Sequence, residues 1–315
     1  MVSQKVKNTA KKIEEMEIRG AGKIGRAAAR ALKEEAKEIS VDEASDFLRK
    51  INKAGKILKD TRPTAVSLSN AIRYIEKDLK ELAEEKNLNE LKNHLKSRAD
   101  KFIQNSKRAT KKIGKIGSRR ISDGDTIMTH CNSSNALAVI KNAHEKGREI
   151  EVLATEARPR HQGHITAREL SEDNIPVTLI VDSAARYFMK EVDKVIVGAD
   201  SISANGAVVN KIGTSQIALS AHEARVTTFV AAESYKFHPS TIVGELIKIE
   251  ERDPAEVIDP EELPKVKIRN PAFDVTPSEY IDLIITERGI IPPEAAYEIL
   301  QEQFELGLDE DKGIY

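Results

Sequence analysis

From residue 118 onward the sequence alternates between two patterns, and that alternation limits the fold more than any other feature. Short apolar runs, TIMTH, EIEVLAT, VTLIV, KVIVGA, VTTFVAA and YIDLIIT, are separated by amphipathic stretches with apolar residues at helical spacing. Runs of this length bounded by polar turns read as strands, and strands alternating with helices require a mostly parallel, doubly wound sheet. Residues 1–117 read differently, with Lys and Glu at solvated positions and apolar residues three and four apart, as in AIRYIEKDLKELAEEKNLNELKNHLKSRADKFI. The chain therefore reads as α/β, with a helical N-terminal domain over 1–117 and a Rossmann-like α/β catalytic domain over 118–315. The stretch DPAEVIDPEELPKVKIRNP reads as a loop before the last strand.

Charge and composition exclude several functions. Lys and Arg number 50 against 51 Asp and Glu, so charge alone recommends neither a nucleic acid nor an anionic membrane as partner. No apolar run approaches the roughly 18 residues of a membrane span, and charge from Lys5 onward leaves no signal-peptide core, so a cytoplasmic, soluble protein is expected. The single cysteine, Cys131, rules out an internal disulfide and a zinc knuckle and suits a reducing compartment. A charged fraction of 32% without tryptophan hints at a thermophilic source.

Open α/β sheets bind ligands at the carboxyl ends of their strands, and here nearly every strand ends in a polar cluster. TIMTH is followed by Cys131-Asn132-Ser133-Ser134-Asn135, EIEVLAT by EARPRHQG, and VTLIV by Asp182-Ser183. KVIVGA is followed by Asp200, then Asn205-Gly206 and Asn210-Lys211-Ile212-Gly213-Thr214, and VTTFVAA by Glu233-Ser234-Tyr235-Lys236. One cleft lined by several strand ends is expected to carry the chemistry.

Cys131 precedes a helix opened by Ser and Asn in capping positions, whose dipole would lower a thiol pKa; a buried structural thiol fits the same position. Asp200 follows an apolar strand and Gly-Ala, where a dry setting would raise its pKa, or where it would merely cap a turn. As a pair, Cys131 and Asp200 suit acid/base work better than nucleophilic catalysis. His130, His161 and His164 lie near enough in sequence to assist the thiol, and the last two could pair on a metal, although no third ligand stands at helical spacing. Arg19, Arg62, Arg158, Arg160, Lys211 and Lys236 sit at glycine, proline or strand-end positions rather than on helix faces, which suits an anionic, phosphate-bearing ligand. At the other end, IRGAGKIGRAAARAL holds Gly20, Gly22 and Gly25 in the spacing G-x-G-x-x-G. A helix precedes it, not a strand, so it reads as a turn opening a helix, either a cradle for one phosphate or a plain helix connection, and not as a dinucleotide fingerprint.

The segments THCNSSNALAVI, EARPRHQGHITAREL, VIVGADSISANGAVVNKIGT and NPAFDVTPSEYIDLIITERG resemble the superfamily of sugar-phosphate isomerases and translation-factor subunits. It includes methylthioribose-1-phosphate isomerase, the regulatory subunits of the exchange factor for initiation factor 2, and archaeal ribose-1,5-bisphosphate isomerase. Cys131 and the Asp200 of GAD match the isomerases, and Gly22-Lys23 stands where methylthioribose-1-phosphate isomerases typically have Pro-Ala. The nearest resemblance is to the archaeal ribose-1,5-bisphosphate isomerases of nucleoside monophosphate salvage; a non-catalytic regulatory subunit and a methylthioribose-1-phosphate isomerase are the alternatives.

The resemblance implies Cys131 and Asp200 as catalytic groups, with one substrate phosphate on Arg19, Gly20, Ala21 and Gly22 and Arg62 nearby. It implies Ser133, Ser134, Asn135, Asn210, Lys211 and Lys236 as further substrate contacts. It also implies a sugar bisphosphate substrate, no metal or organic cofactor, AMP as activator, and a homo-oligomer, a hexamer built from dimers.

Overall fold

The computed structural model describes residues 2–18, 20–243 and 247–304. The chain divides into two compact units, Met1–Lys111 and Lys112–Tyr315. No helix among the described residues is long and apolar enough to cross a membrane.

The first unit is helical: α1 (Gln4–Glu14), α2 (Ala21–Glu38), α3 (Ala44–Thr61), α4 (Val66–Glu76), α5 (Leu79–Glu85) and the start of α6 (Leu88–Gly117). The longer helices bury apolar residues at helical spacing: α2, which packs on α4, buries Ile24, Ala28 and Leu32, α4 buries Leu68, Ala71 and Ile75, and Ile13, Phe47, Ile51 and Leu95 are buried with them. Burying each such Ile or Leu removes roughly 1.5–3 kcal/mol of unfavourable hydration, the main source of this unit's stability. Lys33 on α2 pairs with Asp100 on α6 at 2.6 Å, and Arg26 donates to Ser106 at 2.8 Å.

In the second unit the six expected strands form: β1 (Thr126–Thr129), β2 (Glu151–Thr155), β3 (Val177–Ile180), β4 (Lys194–Val197), β7 (Thr227–Ala231) and β9 (Leu283–Thr286). With the antiparallel edge β10 (Gly289–Ile291) they make a seven-stranded sheet in the order β10-β9-β7-β4-β1-β2-β3, the other pairings all parallel. Successive residues of a strand face opposite sides, and on the five inner strands both sides are dry. Met128, Val195, Val197, Val230 and Ile284 join one core with Ile217 of α10 (Thr214–Ala224) and Leu300 of α11 (Ala296–Phe304). Ile127, Val152, Ile196, Phe229 and Ile285 join the other with Val139 and Ile140 of α7 (Ser134–Glu145) and Leu170 of α8 (Gln162–Glu172).

One element departs from the sequence expectation. Three segments that the sequence did not mark as strands form a separate antiparallel sheet, β5 (Ser201–Ile202), β6 (Val208–Lys211) and β8 (Phe273–Thr276), with β6 in the middle. It places Asn210 and Lys211 on a buried strand, where the sequence showed only a polar cluster following KVIVGA.

Candidate active site

In the parallel sheet the chain runs from β1 to β2 to β3 on one side and then returns to place β4 on the other side of β1. The carboxyl ends of β1 and β4 thus flank the reversal of strand order, where α/β sheets open a crevice. Cys131 follows β1 and Asp200 follows β4, so the two residues singled out from the sequence stand on either side of it. Cys131 occupies the left-handed region at φ 65°, and its carbonyl accepts from the Thr166 hydroxyl at 2.7 Å. Two residues on, Ser133 caps α7, its hydroxyl accepting from the Ala136 amide.

Here the structure corrects the expectation of a thiol poised by a helix dipole. Burial pushes the Cys131 thiol up to about 11, and the Asp200 carboxylate adds to the rise. Lys211, the Asn132 amide and Arg252 pull the other way without prevailing. A half-buried cysteine set among protein atoms loses more by desolvation of its anion than one helix end returns.

His130 is no base for Cys131. Its Nε2 faces the Ile212 carbonyl at 2.8 Å, which can only accept, so Nε2 carries the proton and Nδ1 accepts from the Thr155 hydroxyl at 2.6 Å. Burial pushes its pKa down, keeping the ring neutral. Gly213 lies against that ring, where an added Cβ would come within 3.2 Å. His130 thereby ties β1 and β2 to the turn that carries Lys211.

Lys211 Nζ donates to the Ala272 carbonyl at 3.1 Å and lies 5.1 Å from the centre of the Phe273 ring; burial pushes its pKa down. Asn210 donates to Thr214 Oγ1 at 3.0 Å. Asp274 accepts from the amides of Gly213 and Ser215 at 2.7 and 3.1 Å and fixes the same turn; burial pushes its carboxyl up to about 6. Arg252 lies 5.6 Å from the Phe273 ring centre and within electrostatic reach of both Cys131 and Lys211. Sequence reasoning missed Arg252 and Asp274. The first lies just before the stretch read as loop and arrives because its amide bonds to the Asn270 carbonyl and Glu251 bridges Pro271.

At the end of β7 the buried Glu233 binds Lys236 at 2.9 Å, accepts from Asn135 Nδ2 at 2.6 Å and accepts from the Tyr235 hydroxyl at 3.0 Å. Burial pushes the Glu233 carboxyl up, but Lys236, the Glu233 amide and Asn135 outweigh it and hold the carboxyl below its ordinary value. Glu233 is thus the anion that organises two predicted substrate contacts, Asn135 and Lys236. Ser134, the first residue of α7, is exposed.

Of the ARPR arginines, Arg160 pairs with Glu256 at 2.5 Å and Arg158 donates to the Val257 carbonyl at 3.2 Å. Glu156, His161 and His164 bring three possible ligand atoms within 4.8 Å of one another, the third ligand that sequence spacing did not show. The positive end of α8 and the Arg158 guanidinium, 3.4 Å from His161 Nε2, oppose a cation there. In the first unit Arg19 lies outside the described residues. Gly20, at φ 88°, is the N-cap of α2 and, lacking a side chain, gives no cap bond to the amides of its first turn, which holds Ala21 and Gly22. Open amides at the start of an 18-residue helix can receive an anion. Arg62 ends α3, its carbonyl accepting from Ala65 at 3.0 Å.

A doubly wound sheet with a thiol and a carboxylate across its reversal point, and lysine and arginine near the thiol, defines an α/β protein with a candidate active site at its strand ends. The chain belongs to the initiation factor 2 subunit family, whose model matches residues 17–293. It is 57% identical to the ribose 1,5-bisphosphate isomerase of Methanocaldococcus jannaschii over 95% of each chain. Identity to the protein of that name from Thermococcus kodakarensis is 54% over 96% of each chain. Among solved structures it is similar to the translation initiation factor eIF-2B of Pyrococcus horikoshii, with TM-score 0.81 and 34% identity, covering 93% of this chain and 98% of that one. A 5-methylthioribose 1-phosphate isomerase from the same organism gives TM-score 0.76 at 35% identity, covering 96% and 88%.

Proposed function

We propose that the chain is a ribose-1,5-bisphosphate isomerase, converting α-D-ribose 1,5-bisphosphate to D-ribulose 1,5-bisphosphate in nucleoside monophosphate salvage. The observation that carries this reading is identity of 54–57% over nearly the whole chain to relatives named for that reaction, against 43% to relatives named methylthioribose-1-phosphate isomerase and 34% to the solved initiation factor. Retention of both Cys131 and Asp200 at the strand-order reversal supports an enzyme over a regulatory subunit.

The anomeric oxygen of this substrate carries a phosphate, so the ring cannot open by losing a hydroxyl proton. Asp200 donates a proton to the ring oxygen as the bond from C1 to that oxygen breaks. Cys131, as thiolate, takes the proton from C2, and a C1–C2 double bond forms in place of the charge at C1. Cys131 then returns a proton to C1 while the C2 hydroxyl gives its proton to Asp200, leaving a ketone at C2 and both groups restored. Lys211 and Arg252 favour the thiolate that the second step needs. The substrate contacts are those of the family resemblance: the turn Arg19 to Gly22 with Arg62, then Ser133, Ser134, Asn135, Asn210, Lys211 and Lys236. The reaction needs no metal or organic cofactor on this scheme, AMP acts as activator, and the assembly is a hexamer built from dimers in the cytoplasm of a thermophilic archaeon.

The test is turnover of α-D-ribose 1,5-bisphosphate by the purified protein with and without AMP, beside Cys131→Ser. Ribulose 1,5-bisphosphate formed by the first and not the second is the expected result. Failure of the unaltered protein to form product, with sugar phosphates still bound, would move the reading to a non-catalytic subunit. Product that carries solvent deuterium at C1 distinguishes proton transfer from a hydride shift.

A further inference from the structure

Cys131 is held in a conformation that a residue with a side chain seldom adopts. Its φ of 65° lies in the left-handed region, where a Cβ crowds the following carbonyl oxygen and where glycine, asparagine or aspartate is the usual occupant. Strained residues of this kind persist only where their surroundings enforce them. One hydroxyl on α8 supplies the enforcement here. Thr166 Oγ1 donates to the Cys131 carbonyl at 2.7 Å and accepts from Asn132 Nδ2 at 3.1 Å, so a single group ties down two successive residues of the turn. Glu169, three residues further along α8, accepts from the same Asn132 amide at 3.3 Å and lies 3.6 Å from Lys141 on α7. Thr166 is 1% exposed, and the two bonds use its only proton and one of its lone pairs. A threonine inside a helix ordinarily gives that proton to the carbonyl four residues back, whereas this one reaches another element. Its reach depends on Gly163. An added Cβ there would collide with the Thr155 carbonyl at the end of β2, so glycine lets the first turn of α8 lie on the strand and sets Thr166, one turn later, against the Cys131 loop.

We propose that Thr166 is a positioning residue for the reaction: its hydroxyl holds Cys131 in the left-handed turn and so aims the sulfur at the carbon it deprotonates. The assignment rests on the isomerase reading given above, in which Cys131 takes the proton from C2. A turn released from this conformation rotates about the N–Cα bond of Cys131, and the Cα–Cβ bond swings with it relative to β1. Proton transfer tolerates little such movement, because base and proton must meet within hydrogen-bond reach. Asn132 makes the hold directional. Its amide occupies one lone pair of the Thr166 hydroxyl, which leaves the proton turned toward the Cys131 carbonyl. Lys211 and Asp200 lie within electrostatic reach of the sulfur as it stands, so a change of turn alters its acidity as well as its aim.

The experiment uses the full-length protein with Thr166→Val, which keeps the shape and loses the hydroxyl, and Thr166→Ser, which keeps the hydroxyl and loses a methyl. With α-D-ribose 1,5-bisphosphate, kcat is expected to fall about 100-fold in Thr166→Val while KM stays within about twofold, the pattern of a reacting group misplaced after substrate has bound. Thr166→Ser should return kcat to within about threefold of the unaltered protein, because the two hydroxyls make the same bonds. Alkylation of Cys131 by iodoacetamide is the second readout and needs no substrate. At pH 8 the native rate is expected to rise about tenfold or more in Thr166→Val, as the sulfur leaves the setting that suppresses its thiolate, and to fall back in Thr166→Ser. A kcat kept within about threefold in Thr166→Val, or an alkylation rate equal to that of the unaltered protein, would overturn the proposal. Equal losses of kcat in the valine and serine variants would overturn it as well and make Thr166 a packing residue. If the unaltered protein turns over no bisphosphate, the isomerase reading fails, and the alkylation rates alone decide the point about Thr166. Where Thr166→Val does not fold, as urea unfolding shows, Thr166→Ala takes its place in both measurements.

Discussion

Alkylation of Cys131 by iodoacetamide reads out how the protein holds its thiol, and the sequence contains no other cysteine to confuse the signal. The thiolate is the reactive form, so the rate follows its fraction. With a native thiol at about 11 against an ordinary 9.0, pH 8 leaves about 1 thiolate in 1,000 in the folded protein and about 1 in 10 in the unfolded chain. The folded protein should therefore react about 100-fold more slowly than the protein in guanidinium at pH 8, before any steric protection is added. The pH profile separates the two effects, since a steric block scales the curve without moving it. The native rate should still climb about tenfold per pH unit between 9 and 10, where the unfolded rate is already bending toward its plateau. Lys211→Met removes the cation that most opposes the rise, so its native curve should move to higher pH. The same sign governs catalysis: a base that must be thiolate is lost as pH falls, and kcat/KM should rise with pH through the neutral range. A native rate that levels off below pH 8 would refute the argument that burial outweighs the helix end and the two cations.

Two substitutions test the supports of the site. Gly198→Ala places a Cβ 2.3 Å from Ser133 Oγ and 2.7 Å from its Cβ, so Ser133 must abandon the cap of α7. About 1 kcal/mol of stability should be lost in urea unfolding, and Ser133→Gly in the same chain should recover most of it, because glycine removes both contacts and still caps well. Glu233→Gln leaves the buried Lys236 ammonium without its anion and should cost about 3–5 kcal/mol, with Lys236→Met on that background restoring much of the loss. Equal urea midpoints for Glu233→Gln and the unaltered protein would show that the pair contributes nothing.

The parallel sheet was legible because each strand announces itself locally: an apolar run, a polar turn, a helix-spaced stretch. Cys131 and Asp200 were legible for the same reason, since a residue just past a strand has its place fixed by that strand alone. What was not legible depends on residues far apart in sequence. Val208–Lys211 has no alternating pattern of its own, and it becomes a strand only because Ser201–Ile202 and Phe273–Thr276 close on either side. Arg252 could not be placed without knowing that its amide meets the Asn270 carbonyl. The thiol was misjudged because a capping pattern is visible in sequence, whereas the protein packed around the sulfur is not.

The central position of β6 has a consequence for how the chain is made. Lys211 is anchored by the carbonyl of Ala272, 61 residues later, and everything between must leave the ribosome first. The parallel pairings of β1, β2 and β4 can form while synthesis continues, since those partners come early. The cations beside Cys131 are thus the last part of this region to be installed, and a nascent chain halted before residue 270 would already hold the sulfur in its sheet but could perform no chemistry with it.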